Sequence, residues 1–258
     1  MIYVIGGDGF IGSAYNRYCI NNKIAVISIN RSNYDKYVGT KCEILINANG
    51  NSKKFLSTQN PKIDFIDSVQ SVQKSLIDFK FKKYIFLSTS DVYPDCSKED
   101  STQECQIIDC NKQTTYGFHK YIAELCVQHN AKNWLIIRQG GFVGLGLKKN
   151  VIFDVLYSNE IFVNPKSRFQ FINTDISASL VIDLAIKYNL SNQIFNLTAT
   201  GTISVEEIMK ILNRYPVYKA NDAPLFNEIS TKKVSKYVKL PDSKNIFNDF
   251  ILNKKNIL

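Results

Sequence analysis

With 258 residues, 45% of them apolar and 21% charged, the chain can form one large domain or a nucleotide domain with a small appendage, and it is not a disordered polypeptide. Its net charge of +9 suits an anionic ligand, but lysine is spread along the chain without long basic runs, so no nucleic-acid partner is expected. Six cysteines without a Cys-x-x-Cys pair and only two histidines speak against any metal site and for free thiols in a reducing cytoplasm, and no apolar stretch reaches the ~20 residues of a membrane span.

Taken from the N-terminus, Met1-Ile2-Tyr3-Val4-Ile5 reads as a short apolar strand, too short for a signal peptide. Gly6-Gly7-Asp8-Gly9-Phe10-Ile11-Gly12 follows at once, and residues 13–20 can be helical. Strand, glycine-rich turn and helix in this order present backbone N–H groups and a helix N-terminus to a pyrophosphate. Glycine serves where the turn needs φ > 0 or where a ligand must approach the backbone. Two spacings fit, Gly7-x-Gly9-x-x-Gly12 and Gly6-x-x-Gly9-x-x-Gly12, and such a run also occurs in glycine-rich loops of other α/β proteins.

Further strands are expected over 23–29, ending at Asn30-Arg31-Ser32, and over 43–48, 83–87 and 134–137. The apolar spacing predicts helices over 64–79 and 116–128. Strands alternating with helices give an α/β fold, a Rossmann-type doubly wound parallel sheet with helices on both faces. Beyond residue 145 the rhythm loosens. Ser204 with Glu207 has the pattern of a capping box, and 215–241, interrupted by prolines, reads as part of a small irregular C-terminal lobe.

Ligands of open parallel sheets bind beyond the C-terminal strand ends, where three polar groups fall. Thr89-Ser90-Asp91 follows the strand over 83–87, Tyr116 and Lys120 stand one helical turn apart, and Arg138 follows the strand over 134–137. A tyrosine with a pKa of about 10 is a poor base at neutral pH, and a nearby ammonium lowers that value. A threonine hydroxyl beside them can bond an oxygen on which charge develops. Together these suit proton transfer to or from an alcohol or carbonyl, although a Tyr-Lys pair at this spacing is also common on solvent-facing helices. Asp91 is either an acid-base residue or the cap of the following turn.

These residues together make the chain resemble an extended short-chain dehydrogenase/reductase of the nucleotide-sugar epimerase/dehydratase/reductase group. Gly6-x-x-Gly9-Phe10-Ile11-Gly12, Leu87-Ser88-Thr89-Ser90-Asp91-Val92-Tyr93 and Tyr116-x-x-x-Lys120 match that group's motifs in order. Arg138, Gly144, the stretch 168–175 and the stretches 194–197 and 204–207 match later landmarks, so the resemblance spans nearly the whole chain. It implies that residues 1–145, with 169–200 returning to them, bind NAD(P), while 146–168 and 201–258 form a small substrate-binding lobe. It further implies that Gly6, Gly9, Phe10, Ile11, Gly12, Asn30, Arg31, Ser32 and Ala48 line the dinucleotide. Tyr116 would be the general acid/base, and Lys120 would hold the nicotinamide ribose and depress the tyrosine pKa. Thr89, with Ser90, would bind the sugar, Asp91 would assist, and Arg168 and Asn150 would bind the nucleotide-sugar phosphates or sugar. Relatives often dimerise through the helices after residues 64 and 116, so a homodimer is expected, with no membrane partner.

The departures steer the reading further. Relatives that prefer NAD carry an acid at the end of the second strand, where this chain has Asn30 followed by Arg31. The expected cofactor is therefore NADP(H) in preference to NAD(H). Dehydratases of the group use glutamate where this chain has Asp91, Tyr93 is followed by Pro94 rather than glycine, and Arg138 is followed by Gln139. The resulting expectation is NADPH-dependent reduction of a nucleotide-linked keto-sugar, a 4-keto-6-deoxyhexose, with an epimerase or dehydratase holding NAD(P) tightly as the alternative. A non-catalytic nucleotide-sensing or RNA-binding protein on the same fold is disfavoured by the presence of Thr89, Tyr116 and Lys120 together.

Overall fold

A computed structural model of the chain describes residues 1–50, 54–157 and 160–255. Among the described residues, β1 (Ile2–Ile5), β2 (Val26–Ile29), β3 (Lys41–Asn47), β4 (Lys80–Thr89) and β5 (Trp134–Gln139) belong to one parallel sheet. Four short strands follow, β6 (Gly141–Val143), β7 (Glu160–Ile161), β8 (Arg168–Phe169) and β9 (Phe171–Asn173). The chain then returns to the sheet as β10 (Gln193–Leu197) before the small strands β11 (Ile203–Ser204) and β12 (Val217–Tyr218). The sheet order is β10-β5-β4-β3-β1-β2, with β1 paired to β2 on one side and to β3 on the other. Consecutive connections therefore leave β1 in opposite directions, and a crevice opens at the C-terminal ends of β1 and β3.

The strands are near-continuous apolar runs because both faces of the sheet are covered. Side chains alternate between the faces, as a period of two requires. Ile2, Val4, Ile44, Ile46, Ile85, Leu87, Leu135 and Ile137 share one core with Ala14, Tyr15 and Cys19 of α1 (Gly12–Asn21). Tyr3, Ile5, Leu45, Tyr84, Phe86 and Ile136 face the other way. That second face is covered from the segment containing α2 (Lys54–Gln59), α3 (Pro61–Phe65) and α4 (Ser71–Asp78), and by α5 (Thr115–Asn130). Val72 and Leu76 of α4 and Ala123 and Val127 of α5 supply the contacts. Phe65, Ile66, Ile77, Phe118 and Leu125 remain exposed on these helices, the ones expected to meet a second copy.

A separate apolar core lies beyond the sheet. α6 (Val151–Tyr157), α7 (Thr174–Ile182), α8 (Val205–Leu212) and α9 (Ser243–Lys255) surround it or border it. Ile152, Val155, Ile208, Ile246, Phe247 and Phe250 meet there, whereas Ala178, Val181 and Ile182 of α7 join the sheet core. The capping box forms as expected: Ser204 Oγ accepts from the Glu207 N–H at 3.1 Å, and Glu207 accepts from the Ser204 N–H at 2.8 Å.

The strands expected over 83–87 and 134–137 extend to Lys80–Thr89 and Trp134–Gln139, and two other elements differ for a local reason. The second strand starts at Val26 rather than at 23, because Lys23 takes a left-handed φ of 57° at the exit of α1. There the Lys23 N–H donates to the Ile20 carbonyl and the Ile24 N–H to the Cys19 carbonyl, which closes the helix end and consumes these residues. The helix expected over 64–79 starts at Pro61 under an Asn60 cap, passes through a wider π-turn at Ile66–Gln70 and ends at Asp78. Phe79 is apolar and helical in spacing, yet it leaves the helix in an extended conformation to enter the core.

Candidate active site

The opening loop is built for close approach. Gly6 has φ +74°, its N–H donates to the Ile29 carbonyl at 2.8 Å, and its own carbonyl accepts from the Gly9 N–H at 3.0 Å. A Cβ at Gly12 would run into the Gly6 carbonyl oxygen and one at Gly7 into Ser28 Oγ, whereas one at Gly9 would meet only the Gly6 oxygen, at 3.1 Å. Gly9 thus leaves bare backbone facing outward at the start of α1. That helix start has no side-chain cap and no acidic residue in its first turn, a setting that suits a phosphate, although the Ser13 and Ala14 N–H groups already donate to the Gly9 and Ile11 carbonyls. Phe10 and Ile11 anchor the loop, packing on the second core and the sheet core respectively. The Ala48 N–H donates to the Ile5 carbonyl at 2.9 Å, and its carbonyl borders Gly6 across the crevice. These residues fit a dinucleotide.

At the end of β2, Asn30 turns its side-chain oxygen inward, accepting from the Ser32 N–H at 2.9 Å, from Ser32 Oγ at 2.7 Å and from the Asn33 N–H at 3.2 Å. Its Nδ2 donates to Asp8 Oδ2 at 2.6 Å, and Ser28 Oγ donates to Asp8 Oδ1 at 2.6 Å. The Ser28 and Asn30 donors hold the exposed Asp8 carboxyl below the usual aspartate value. The strand end, free of acids in the sequence reading, thus acquires a carboxylate from the glycine loop. Arg31 is 92% exposed and lies 3.7 Å from Asp67.

The reactive groups gather where β4 ends. Thr89 Oγ1 donates to Asp91 Oδ2 at 2.8 Å and accepts from the Asp91 N–H at 3.2 Å, so Asp91 and the turn cap each other. Lys54, at the start of α2, forms an ion pair with the same Asp91 oxygen, and its Nζ lies 5.8 Å from the centre of the Tyr116 ring. Helix α5 begins under a Thr114 cap, with Thr114 Oγ1 accepting from the Gly117 N–H at 3.1 Å. A Cβ at Gly117 would strike the Asp91 carbonyl, so glycine lets the helix start close against the end of β4. One turn on, Lys120 Nζ donates to the Leu87 carbonyl at 3.0 Å, and a Cβ on Gly50 would stand 3.6 Å from it. Ser90 is buried, and its carbonyl accepts from the Tyr93 N–H at 3.0 Å. Thr89, Asp91, Lys54 and the Tyr116 ring therefore gather at the end of β4, with Lys120 one turn on along α5 and near Gly50.

The electrostatics of the pair differ from the simple expectation. Burial, followed by the carboxylates of Asp91 and Asp64, pushes the Tyr116 phenol upward, so it holds its proton. Burial lowers Lys120 to about 8, against the opposing pull of Glu124 and Asp64. Between about 8 and the ordinary lysine value of 10.5, the unfolded chain keeps a proton that the folded protein has released. The buried ammonium therefore costs stability below about pH 8, and this cost fades as the pH rises through the window. Wild-type unfolding free energy should climb relative to Lys120→Met between pH 8 and 10.5, with urea midpoints as the readout. A constant difference between the two proteins contradicts this assignment.

Behind the pair, His119 Nδ1 lies 2.6 Å from Asp64 Oδ2, and both residues are buried. Arg138 stands below the site rather than in it. Its Nη2 donates to Glu124 Oε2 at 2.7 Å, Ser88 Oγ donates to Glu124 Oε1 at 2.5 Å, and the guanidinium stacks 4.8 Å from the Tyr93 ring centre. The outer residues are occupied locally. Arg168 Nε donates to Thr202 Oγ1 at 3.0 Å on exposed β8. Asn150 Nδ2 donates to the Phe142 carbonyl at 2.8 Å, and its Oδ1 accepts from the Phe153 N–H at 3.0 Å at the start of α6.

Asp8, Lys54, Asp64 and His119 were not among the residues singled out from the sequence. Asp8 carried a signal, an acid in the middle of a phosphate-type loop. His119 carried another, as one of two histidines in the chain and the neighbour of Lys120. Lys54 and Asp64 carried none, since their roles depend on packing between distant segments.

The sequence profile described as the NAD dependent epimerase/dehydratase family matches residues 2–144, more than half of the chain. Comparison with curated protein sequences gives no significant match. Among solved structures, the chain is similar to MoeE5 in complex with UDP-glucose and NAD, at TM-score 0.83 and 13% identity over 100% of this chain and 99% of that one. It is also similar to a UDP-galactose 4-epimerase, at TM-score 0.77 and 18% identity over 94% and 93% of the two chains. A dTDP-4-dehydrorhamnose reductase from Clostridium acetobutylicum aligns at TM-score 0.78 and 14% identity over 98% and 99%. At these identities the likeness is one of fold.

Proposed function

The chain belongs to the NAD-dependent epimerase/dehydratase family, and on that footing we propose that it reduces a keto group on a nucleotide-linked sugar, a 4-keto-6-deoxyhexose. One observation carries the reading: Tyr116, one helical turn before Lys120, stands beside Lys54 and so beside the Asp91–Thr89 pair at the end of β4. A nicotinamide dinucleotide bound along that loop supplies the hydride. Tyr116 gives its proton to the oxygen that becomes a hydroxyl, as a general acid should. Thr89 donates a hydrogen bond to the same oxygen once it turns from Asp91. Lys120, whose Nζ donates to the Leu87 carbonyl near the end of β4, holds the nicotinamide ribose. The smaller core with β8 and α6 forms the lobe that receives the sugar nucleotide, and Arg168 gives a forked partner to its pyrophosphate.

The alternative, an epimerase or dehydratase that retains its dinucleotide, makes demands that this site meets poorly. An epimerase needs Tyr116 to begin as a base, and burial and two carboxylates work against its ionisation. A dehydratase needs a free acid beside Thr89, whereas Asp91 is paired with Lys54. The test is to mix the purified protein with a nucleotide-linked 4-keto-6-deoxyhexose and each reduced dinucleotide. Stoichiometric oxidation of the dinucleotide with formation of an alcohol is expected. Bound oxidised dinucleotide that survives purification, with epimerised sugar and no net oxidation, sinks the reductase reading. Which dinucleotide serves is decided at the end of β2.

A further inference from the structure

A dinucleotide seated on a strand, glycine turn and helix places its pyrophosphate at the helix N-terminus and its adenosine ribose near the end of the second strand. In this chain that end carries Asn30, an amide, and on sequence alone the position tolerates a 2′-phosphate. The fold alters this. Ser28 and Asn30 each donate one hydrogen bond of 2.6 Å to Asp8, one per carboxylate oxygen. Asn30 has no freedom to turn away, since its own oxygen is tied to residues 32 and 33. The carboxylate is thus fixed in position while its side chain stays exposed to solvent. Each of its oxygens accepts more than one hydrogen bond, so acceptor capacity remains for hydroxyl donors.

We propose that Asp8 selects NAD(H) over NADP(H): carried by the glycine loop to the end of β2, its carboxylate receives the adenosine ribose hydroxyls and repels a 2′-phosphate. This rests on the reading of the loop as a dinucleotide seat. A 2′-phosphate brings a charge of about −1.5 to −2 close to a fixed anion. Arg31 does not offset that contact, since its guanidinium extends into solvent toward the Asp67 carboxylate at 3.7 Å. The acid that other strand ends carry in the second strand itself is supplied here from the first loop, at a residue far away in sequence. On this proposal the dinucleotide is NADH where the sequence predicts NADPH, and the reduction chemistry is the same.

The experiment is calorimetric titration of the full chain with NADH and with NADPH, for the wild type, Asp8→Asn, and Asp8→Asn combined with Asn30→Asp. The wild type should bind NADH about tenfold more tightly, the factor given by one repulsion between exposed charges. Asp8→Asn should bring the two affinities within about threefold of each other, because the amide keeps the shape and loses the charge. The double variant, with the acid moved to the strand itself, should restore the preference for NADH. Thermal melting of each variant confirms that it is folded. Wild-type protein that binds NADPH as tightly as NADH overturns the proposal, as does an unchanged ratio in folded Asp8→Asn. If the folded wild type binds neither dinucleotide, the seat itself is wrong, and that failure is distinct from a shift in preference.

Discussion

Replacing Tyr116 with phenylalanine should lower turnover by about a thousandfold while leaving dinucleotide affinity within about twofold of wild type. Positioned general acids contribute roughly 10²- to 10⁴-fold, and Tyr116 is the acid proposed for this site. The substitution removes one oxygen and leaves the ring, which keeps its place beside Lys54 and its packing at the start of α5. Stability should therefore stay close to that of the wild type. The loss should fall on kcat and on kcat/KM alike, because the interaction is made in the transition state and not in substrate binding. Rates of keto-sugar reduction and calorimetric affinities check both halves. Turnover retained in the variant would exclude Tyr116 as the proton donor.

The second large effect concerns stability. Glu124→Ala should cost about 3–5 kcal/mol, because it strands the Arg138 guanidinium in the interior. Arg138 is 2% exposed, and Glu124, which accepts from it and from Ser88, is fully buried. Breaking one half of a buried pair leaves a charge without compensation, whereas replacing both halves with apolar side chains removes the burden altogether. Glu124→Leu with Arg138→Met should accordingly recover much of the loss. Urea unfolding of the wild type, the single variant and the double variant separates the cases. A single variant as stable as the wild type would show that Arg138 finds another partner. Glu124 also supports the ammonium of Lys120, one turn away on α5, so its loss should move the Lys120 value further down.

These two residues show how differently a motif can serve. In the sequence Arg138 is a polar residue following an expected strand, which groups it with Thr89 and Tyr116. In the folded chain it is buried in the pair with Glu124 and stacks on the Tyr93 ring. The strand expected over 134–137 runs on to Gln139, so Arg138 lies within it, and the direction of its long side chain depends on what awaits it on either face.

Local patterns told a good deal without any coordinates. The apolar strand followed by Gly6, Gly9 and Gly12, the capping box at Ser204 and Glu207, and the spacing of Tyr116 and Lys120 are all short-range. Backbone sterics, one helical turn or a cap determine them within a few residues, so the α/β sheet and its glycine loop could be foreseen. What the tertiary structure alone decided is the company each charge keeps. Asp8 meets Asn30, Lys54 meets Asp91, Asp64 meets His119 and Glu124 meets Arg138. Each of these contacts joins residues from separate elements or loops, and only strand order and helix packing bring them within reach. Charge acts over a few ångströms of space and is indifferent to distance along the chain, which is why the carboxylate of Asp8 at the end of β2 shows only in the folded loop.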